Sequence, residues 1–232
     1  MAEAVQIAAF FPTTASAAVR LRTEKGQCAA LVDLEQQNEE KEAQLLSEAE
    51  QTFFQQLRHP KRRREWLGGR IAAKAALLNL PDADDFEARA RHLTILPNEQ
   101  GRPSISGGAS GLSLSITHSG RYAAALAAQG QSCGIDLQKV SEKLFALISW
   151  FAIEEELHLL AHSVGREAAA LTMLWSVKEA VKKSLPHDQP HIFAGIKVAR
   201  ITPAGDRSWR FECEAQTVMA YDFSPYILAL TC

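Results

Sequence analysis

With 232 residues, the chain is long enough to form one large domain or two small ones and to bury a substantial core. Its hydrophobic fraction of 47% and charged fraction of 22% are ordinary for a globular protein, and its net charge of −2 indicates no particular partner. The four cysteines have no paired spacing and no apolar run approaches a membrane span, so we expect neither a zinc site, a disulfide framework nor a membrane protein, but a cytoplasmic one.

The first part of the chain alternates apolar runs with polar, helical stretches. The leading residues carry Glu3 and no basic region, so we interpret 5–11 as a first strand and not as part of a signal peptide. The other predictions, in chain order, are a strand at 28–34, a polar helix over 36–57, a helix over 64–80 ending at Pro81, a strand at 93–96 and a hairpin that turns at Ser119 and Gly120.

The second part begins with a strand over 134–140, of sequence GIDLQKV. Helices are predicted over 145–161 and 166–185, the second ending before Pro186. Strands are predicted over 192–201, 209–215 and 226–231.

The two parts resemble each other in order and spacing. Trp66 is followed eight residues later by Lys74, as Trp175 is by Lys183, and a similar strand begins downstream at a tyrosine in each part. This repeat predicts an α+β protein of two similar halves, residues 1–130 and 131–232. Sites often lie at such junctions.

The strand GIDLQKV carries an acid and an amide on one face. Because strand residues alternate between faces, Asp136 and Gln138 point the same way. A metal site, a salt bridge and a plain strand end are all compatible with this pattern.

The helix over 166–185 has charged residues in unusual places. Lys178 falls within its apolar arc, Glu179 lies at the edge of that arc, and Lys183 is one turn further on. A snorkelling lysine beside an ordinary Glu179–Lys183 pair would explain this pattern equally well.

Other polar groups could hold phosphate. His118, with Thr117 and Ser119 beside it, lies at a strand end next to a tight turn, and Arg102 lies in a Gly-Arg-Pro turn. The basic run KRRR over 61–64 could be a solvated face, a phosphate clamp or a nucleic-acid patch, of which the last is least favoured because few aromatic residues interleave it.

Taken in order, these motifs resemble the 4′-phosphopantetheinyl transferases of the larger, Sfp-like pseudo-dimeric type. The resemblance runs from about Ser47 to the C-terminus and depends most on GIDLQKV followed by WSVKEAVKKS, with THSGRY in support. It implies two similar α+β halves with coenzyme A between them. It also implies transfer of the 4′-phosphopantetheine arm of coenzyme A to a serine of a carrier protein of fatty-acid, polyketide or peptide synthesis, releasing adenosine 3′,5′-bisphosphate.

The resemblance also implies a metal and catalytic groups. Asp136 and Glu179 match the family's Mg²⁺ carboxylates, with Mn²⁺ as an alternative ion, and Gln138 stands where many relatives have a second acid. Glu155 matches the proposed base, and Lys183 matches the lysine that contacts the pyrophosphate.

For coenzyme A, the resemblance implies a larger set of contacts. Lys178 would support the phosphates or the nucleotide, and His118, with Thr117 and Ser119, would contact the 3′-phosphate. The remaining implied contacts are Arg102 and Pro103 near the adenine, and Arg64 and Arg70 on the basic helix.

We expect a monomer, because the second half supplies what a second subunit would, and we expect neither a nucleic-acid nor a membrane partner. A non-catalytic module that binds coenzyme A or a carrier protein is the alternative, because Gln138 replaces an acid and no basic residue lies between Ser47 and Arg58. A nucleic-acid binder using the basic run is the third reading.

Overall fold

A computed structural model of the chain describes residues 18–22, 26–78, 83–165, 167–185, 193–214 and 216–232. These residues mix helices with antiparallel sheets, which confirms the predicted α+β class. They fall into two compact units, one within Val5–Ser132 and one within Cys133–Cys232, which we call the N-terminal unit and the C-terminal unit. The strand predicted over 5–11 lies outside the described residues.

In the N-terminal unit, helices accompany an antiparallel sheet with the strand order β1-β2-β6-β5, and β3 pairs with β4 separately. The elements are β1 (Ala18–Arg22), β2 (Gln27–Asp33), α1 (Glu39–Ala43), α2 (Glu48–Gln56), α3 (Pro60–Leu78), α4 (Ala83–His92), β3 (Thr94–Pro97), β4 (Pro103–Ser106), β5 (Leu112–Ser119) and β6 (Tyr122–Gln129).

Helix α3 packs on β2, β5 and β6 and buries the core of this unit. Leu67 and Ile71 of α3 are buried, and burial of such a side chain stabilises the fold by about 2 kcal/mol. They lie against a strand of small residues, because Ala123, Ala125 and Ala127 of β6 face the same core. The helix is thereby held close to the sheet, with its basic first turn at the end of the core.

The C-terminal unit has a five-stranded antiparallel sheet with the order β7-β11-β10-β9-β8. Its elements are β7 (Ile135–Lys139), a 3₁₀ helix (Glu142–Leu147), α5 (Ile148–Phe151), α6 (Glu154–Ser163), α7 (Ala168–Ser184), a second 3₁₀ helix (Phe193–Gly195), β8 (Val198–Gly205), β9 (Ser208–Cys213), β10 (Thr217–Phe223) and β11 (Tyr226–Thr231).

Helix α7 packs against β7, β10 and β11 and contributes more buried residues to the core of this unit than any other element does. A glycine before β7 permits this approach, since a Cβ atom on Gly134 would lie 1.9 Å from the carbonyl oxygen of Ala180. Backbone on both sides leaves little room to adjust. Gly134 therefore fixes how closely the strand that carries Asp136 passes the helix that carries Glu179.

A buried ion pair ties α3 of the N-terminal unit to its neighbours. The Lys74 ammonium donates to Glu50 Oε2 at 2.5 Å and to the carbonyl of Ala90 at 2.7 Å. Glu50 also accepts the backbone N–H groups of Ser47, which caps α2, and Ile95 in β3. Desolvation lowers the pKa of Lys74, and the Glu50 charge opposes that shift.

The C-terminal unit contains an ion pair of the same construction. The Lys178 ammonium of α7 donates to Glu156 Oε2 at 2.7 Å and to the carbonyl of Phe193 at 3.4 Å. Glu156, in the first turn of α6, also accepts the backbone N–H groups of Ile153 and Val198. Ile153, at the start of α6, thus corresponds to Ser47, and Val198, in the strand that follows, corresponds to Ile95.

The shared ion pair gives the register of the repeat. Lys74 and Lys178 occupy the same place, and each lies the same number of residues before the tyrosine, Tyr122 or Tyr226, that begins a central strand. The sequence comparison instead aligned Lys74 with Lys183, a register that the ion pairs do not support. The two tryptophans that suggested it occupy different places on their helices.

Candidate active site

Asp136 lies on β7 against α7 and is 6% exposed. The Lys183 ammonium donates to Asp136 Oδ1 at 2.7 Å and to the carbonyl of Ile135 at 3.0 Å. The fold therefore brings together two predicted site residues that are 47 positions apart in the sequence. This contact joins the strand and the helix at one point.

Glu179 and Gln138 border the same point. Glu179 lies one helical turn before Lys183 and so shares its face of α7. The Lys182 ammonium donates to Glu179 Oε1 at 3.4 Å. Gln138, which is half-buried, lies two residues after Asp136 and shares its face of β7.

The chemistry of this donor set fits Mg²⁺. Asp136 and Glu179 supply carboxylate oxygens and Gln138 supplies an amide oxygen, and Mg²⁺ prefers a few protein oxygens with retained waters. Within the described ranges there is no group of three or more His, Cys, Asp or Glu side chains that could hold a metal ion. The assignment of Asp136, Gln138 and Glu179 to a metal stays a prediction.

The three consecutive glutamates at the start of α6 have different surroundings. Glu156 is buried and is bonded to Lys178, whereas Glu154 and the predicted base, Glu155, are exposed. The Lys178 ammonium, predicted to support phosphates, is 0% exposed and faces Glu156. The assignment of the base to Glu155 stays a prediction.

The N-terminal unit has a surface pocket of about 240 Å³ beside the start of α3. Its lining includes two cations from α3, Lys61 and the predicted phosphate ligand Arg64, and a third from the β5–β6 turn, Arg121. The first turn of α3 contains no acidic residue. Basic side chains at a helix N-terminus oppose the helix dipole and so do not stabilise the helix. Two carboxylates, Glu35 and Glu65, also line the pocket and offset part of its positive charge.

His118 projects toward this end of α3. Its Nδ1 lies 3.7 Å from Glu65 Oε1, and Glu65 also lines the pocket. Thr117 and Ser119 flank His118 in the strand, so their side chains point to the other face of the sheet. The structure therefore does not bring these three predicted contacts together on one face.

Arg70 and Arg102 lie further along this unit. Arg70 is 8% exposed, donates from Nε to the carbonyl of Ile95 at 2.6 Å, and lies over the Trp66 ring. Burial lowers its pKa to about 10. Arg102 ends the β3–β4 turn, where its backbone N–H bonds Asn98 Oδ1, and Pro103 begins β4. Their assignments to coenzyme A stay predictions.

Sequence reasoning missed Arg121 as a pocket residue. Its guanidinium holds Asp33 through both carboxylate oxygens, at 2.5 to 3.0 Å, and these hydrogen bonds raise its pKa. The available signal was the arginine that follows the Ser-Gly turn, next to His118. Its position at the pocket depends on the hydrogen bonds to Asp33, which lies 88 residues away, and no local sequence pattern reveals that contact.

A further feature of the C-terminal unit is an exposed apolar surface formed by Phe145, Leu147 and Trp150. These side chains are 48%, 39% and 76% exposed. The 3₁₀ helix and α5 that carry them pack on α7, which holds Glu179 and Lys183. We call this set the apolar surface.

Two family models match the chain. The 4′-phosphopantetheinyl transferase N-terminal domain matches residues 49–128, and the 4′-phosphopantetheinyl transferase superfamily matches residues 132–231. The two matches do not overlap and leave only 1–48, 129–131 and 232 unmatched. The chain belongs to the 4′-phosphopantetheinyl transferase superfamily. This confirms the resemblance inferred from the motifs and supports a transferase with the α+β fold of that superfamily.

Comparison with solved structures adds a weaker similarity. The chain is similar to holo-[acyl-carrier-protein] synthase of Thermotoga maritima, with 24% sequence identity, a TM-score of 0.36, and coverage of 51% of this chain and 71% of that chain. No curated protein matches the chain. In the part of the chain that the structure describes, no helix is long and apolar enough to cross a membrane.

Proposed function

We propose that this transferase moves the 4′-phosphopantetheine arm of coenzyme A to a serine of an acyl, polyketide or peptidyl carrier protein, with Mg²⁺ bound and with adenosine 3′,5′-bisphosphate released. Membership of the superfamily supports the reaction class. The observation that supports this site most directly is the contact of Lys183 with Asp136, one helical turn from Glu179.

The proposed step is a displacement at phosphorus. The serine oxygen bonds to the phosphorus that carries the pantetheine arm, and the bond from that phosphorus to the bridging oxygen breaks. The leaving electron pair stays on the 5′-phosphate of adenosine 3′,5′-bisphosphate, while the serine proton passes to Glu155, directly or through water.

The residues of the C-terminal unit divide this work. Asp136 and Glu179 would hold the metal, with Gln138 as a neutral third donor, and the bound ion would offset the charge of the pyrophosphate. Lys183 would bind the pyrophosphate oxygens and stabilise the leaving phosphate. Glu155 is exposed in the first turn of α6, so it is accessible to a substrate serine, whereas Glu156 is buried and bonded to Lys178.

In the N-terminal unit, the proposed role is to bind the nucleotide end of coenzyme A. The pocket beside α3 offers Lys61, Arg64 and Arg121 to a phosphate group. His118 lies next to the pocket, because it contacts Glu65 of the lining. The three cations outnumber the two carboxylates of the lining, Glu35 and Glu65, so an anionic ligand would meet a net positive pocket. Arg102 and Pro103 would contact the adenine side.

We further propose that the apolar surface contacts the carrier protein. Lys143 is exposed on the 3₁₀ helix that also carries Phe145 and Leu147. An acidic carrier helix would therefore meet both an apolar and a basic group. A cytoplasmic location is also part of the proposal, because four cysteines without paired spacing suit a reducing compartment. A monomer is the proposed working form.

Intact-mass spectrometry of apo carrier proteins tests the reaction. Each carrier is incubated with the protein, coenzyme A and Mg²⁺, and the expected gain is one phosphopantetheine arm, which is absent with EDTA. Asp136→Asn and Glu179→Gln should lower the rate at least 100-fold without loss of the far-UV circular dichroism spectrum, since each removes a charged metal ligand (an effect on the order of 3 kcal/mol).

Two outcomes would contradict the proposal. Wild-type rates in either variant would remove the metal assignment. No mass gain on any carrier, with coenzyme A still bound, would favour the non-catalytic binding module, which Gln138 and the lack of basic residues between Ser47 and Arg58 suggest.

A further inference from the structure

Lys183 and Asp136 form an ion pair that is largely shielded from water. Nζ and Oδ1 are 2.7 Å apart, the Asp136 side chain is 9% exposed and the Lys183 side chain is 28% exposed. Charge-assisted hydrogen bonds of this length are stronger than neutral ones. Such a pair is also screened less by salt than a surface pair would be.

A second pair stands one turn away on the same helix. Lys182 contacts Glu179 Oε1 at 3.4 Å, with both side chains partly covered. Each of the two carboxylates that fit a divalent ion therefore already has a lysine from α7 beside it. Gln138 adds no negative charge to offset the two ammonium groups. A divalent cation entering this site meets two carboxylates and two positive charges.

We propose that Lys183 competes with the divalent cation for Asp136, so that the metal site is intrinsically weak and is completed when an anionic ligand draws the ammonium group away. The inference rests on the proposed function, because the metal and the anion are those of the transfer reaction. Lys183 then acts first as a counter-ion of Asp136 and afterwards as a ligand of the pyrophosphate.

This arrangement couples two binding events. Without an anion, the free-energy cost of displacing the Lys183 ammonium from Asp136 weakens metal binding. With an anion bound, the new contact between Lys183 and the pyrophosphate offsets that cost. Binding of the metal and of the pyrophosphate group must then favour each other reciprocally. A protein charged in this way discriminates against holding the metal without its substrate.

The test is a titration of the full-length protein with Mn²⁺, followed by the electron paramagnetic resonance signal of the free ion, without coenzyme A and without a measurement of activity. Lys183→Met should lower the Mn²⁺ dissociation constant roughly tenfold, within the usual range of coupling between sites. Lys197→Met is the matched control, since it removes the same charge from an exposed side chain just before β8 in the same unit, and should leave the constant within twofold.

Further variants make the result decisive. Asp136→Asn should abolish the tight binding in the Lys183→Met background, which places the ion at this carboxylate. Lys183→Gln provides a second neutral side chain, and thermal unfolding of each variant checks the fold. An unchanged or higher dissociation constant in both Lys183 variants would overturn the inference, and so would Mn²⁺ binding that Asp136→Asn does not affect.

The same data separate this inference from the proposed function. If carriers gain the phosphopantetheine arm while Lys183→Met does not tighten Mn²⁺ binding, competition is wrong and the transferase assignment stands. If Lys183→Met tightens binding but no carrier is modified, competition stands and the transfer activity is wrong.

Discussion

At the residue scale, Gln138 is an amide at a position where the family resemblance places a second acid. It shares a face of β7 with Asp136 and is half-buried, so a charge placed at this position would act on the site. The neutral side chain leaves two carboxylates for a divalent ion. The amount of Mg²⁺ that the reaction requires is therefore expected to depend on this side chain.

Gln138→Glu should lower the Mg²⁺ concentration that gives half the maximal transfer rate, by roughly fivefold, because a third negative charge strengthens attraction for a divalent ion. The measurement is the initial rate against Mg²⁺ at saturating coenzyme A and carrier. Gln131→Glu, exposed and outside β7, is the matched control for the added charge. Equal curves for the wild type and Gln138→Glu would mean that this side chain is not close to the metal.

His118→Ala tests the nucleotide pocket. If His118 contacts the 3′-phosphate, the variant should raise the dissociation constant of coenzyme A roughly tenfold and change that of 3′-dephospho-coenzyme A little, because only the first ligand loses a charge-assisted hydrogen bond. Isothermal titration of both ligands gives the comparison, with the exposed His158→Ala as control. Equal losses for both ligands would move His118 away from the 3′-phosphate.

At the element scale, the buried ion pairs fix two long helices against their neighbours. Lys178→Met leaves the buried Glu156 carboxylate without its cation, and Lys74→Met does the same to Glu50. Each should lower the free energy of unfolding by about 3 to 5 kcal/mol, because breaking one partner of a buried pair leaves an uncompensated charge. Urea denaturation followed by circular dichroism measures the loss.

The double variants complete that experiment. Lys178→Met with Glu156→Gln, and Lys74→Met with Glu50→Gln, should each recover part of the lost stability because the orphaned charge is gone. A loss below 1 kcal/mol in either single variant would mean that the corresponding pair does not stabilise its unit. Because the pairs are equivalent, the two units should respond alike.

Local patterns were sufficient for the elements with strong periodicity. Both long helices, the β5–β6 hairpin and β7 were predicted close to their observed bounds, since each shows a clear apolar repeat. Helix α4 was missed because it is short and Phe86 is its one large apolar residue. Strand β10 was missed because it has buried residues on both faces and hence no alternation.

Breaks within predicted helices have a different cause. The helix predicted over 145–161 is interrupted before α6, where the Glu156 carboxylate caps the new helix and also binds Lys178. The strand predicted over 192–201 begins only at Val198, whose N–H is bonded to the same carboxylate. Such partners lie 22 and 42 residues from Glu156, beyond what any local window contains.

For the candidate site, residue types were predictable and their pairing was not. The motifs identified Asp136, Glu179 and Lys183, but the contact between Lys183 and Asp136 depends on how closely Gly134 lets β7 approach α7. The three residues over 117–119 looked like one cluster in the sequence. Because strand residues alternate between faces, His118 points to one face and Thr117 and Ser119 to the other. This separation could have been predicted from the sequence.

At the scale of the whole molecule, the apolar surface is the exposed feature most suited to a macromolecular partner. Trp150 is the most exposed of its side chains, and aromatic residues contribute most strongly to binding at protein interfaces. It lies on α5, which packs on α7, the helix that carries Glu179 and Lys183. A partner bound at Trp150 would therefore contact an element that packs directly on the helix proposed for catalysis.

Trp150→Ala should therefore raise the KM for the carrier protein roughly tenfold, with little change in kcat or in the KM for coenzyme A, because it removes an anchor of the partner and no reacting group. Steady-state kinetics with varied carrier gives these constants. Ser149→Ala, exposed on the same short helix, is the control. A fall in kcat at unchanged KM would contradict the docking role.

The equivalence of Lys74 and Lys178 has a consequence for how many reactions one polypeptide can perform. In the N-terminal unit the counterpart of Asp136 is Ala30, paired with β6 as Asp136 is with β11, and the counterpart of Glu179 is Ala75. Both alanines are buried and their space is filled by the core. The repeated framework therefore carries the two metal-site acids in one unit alone. We expect one divalent ion and one transferred arm per chain and turnover, with the N-terminal unit serving another role.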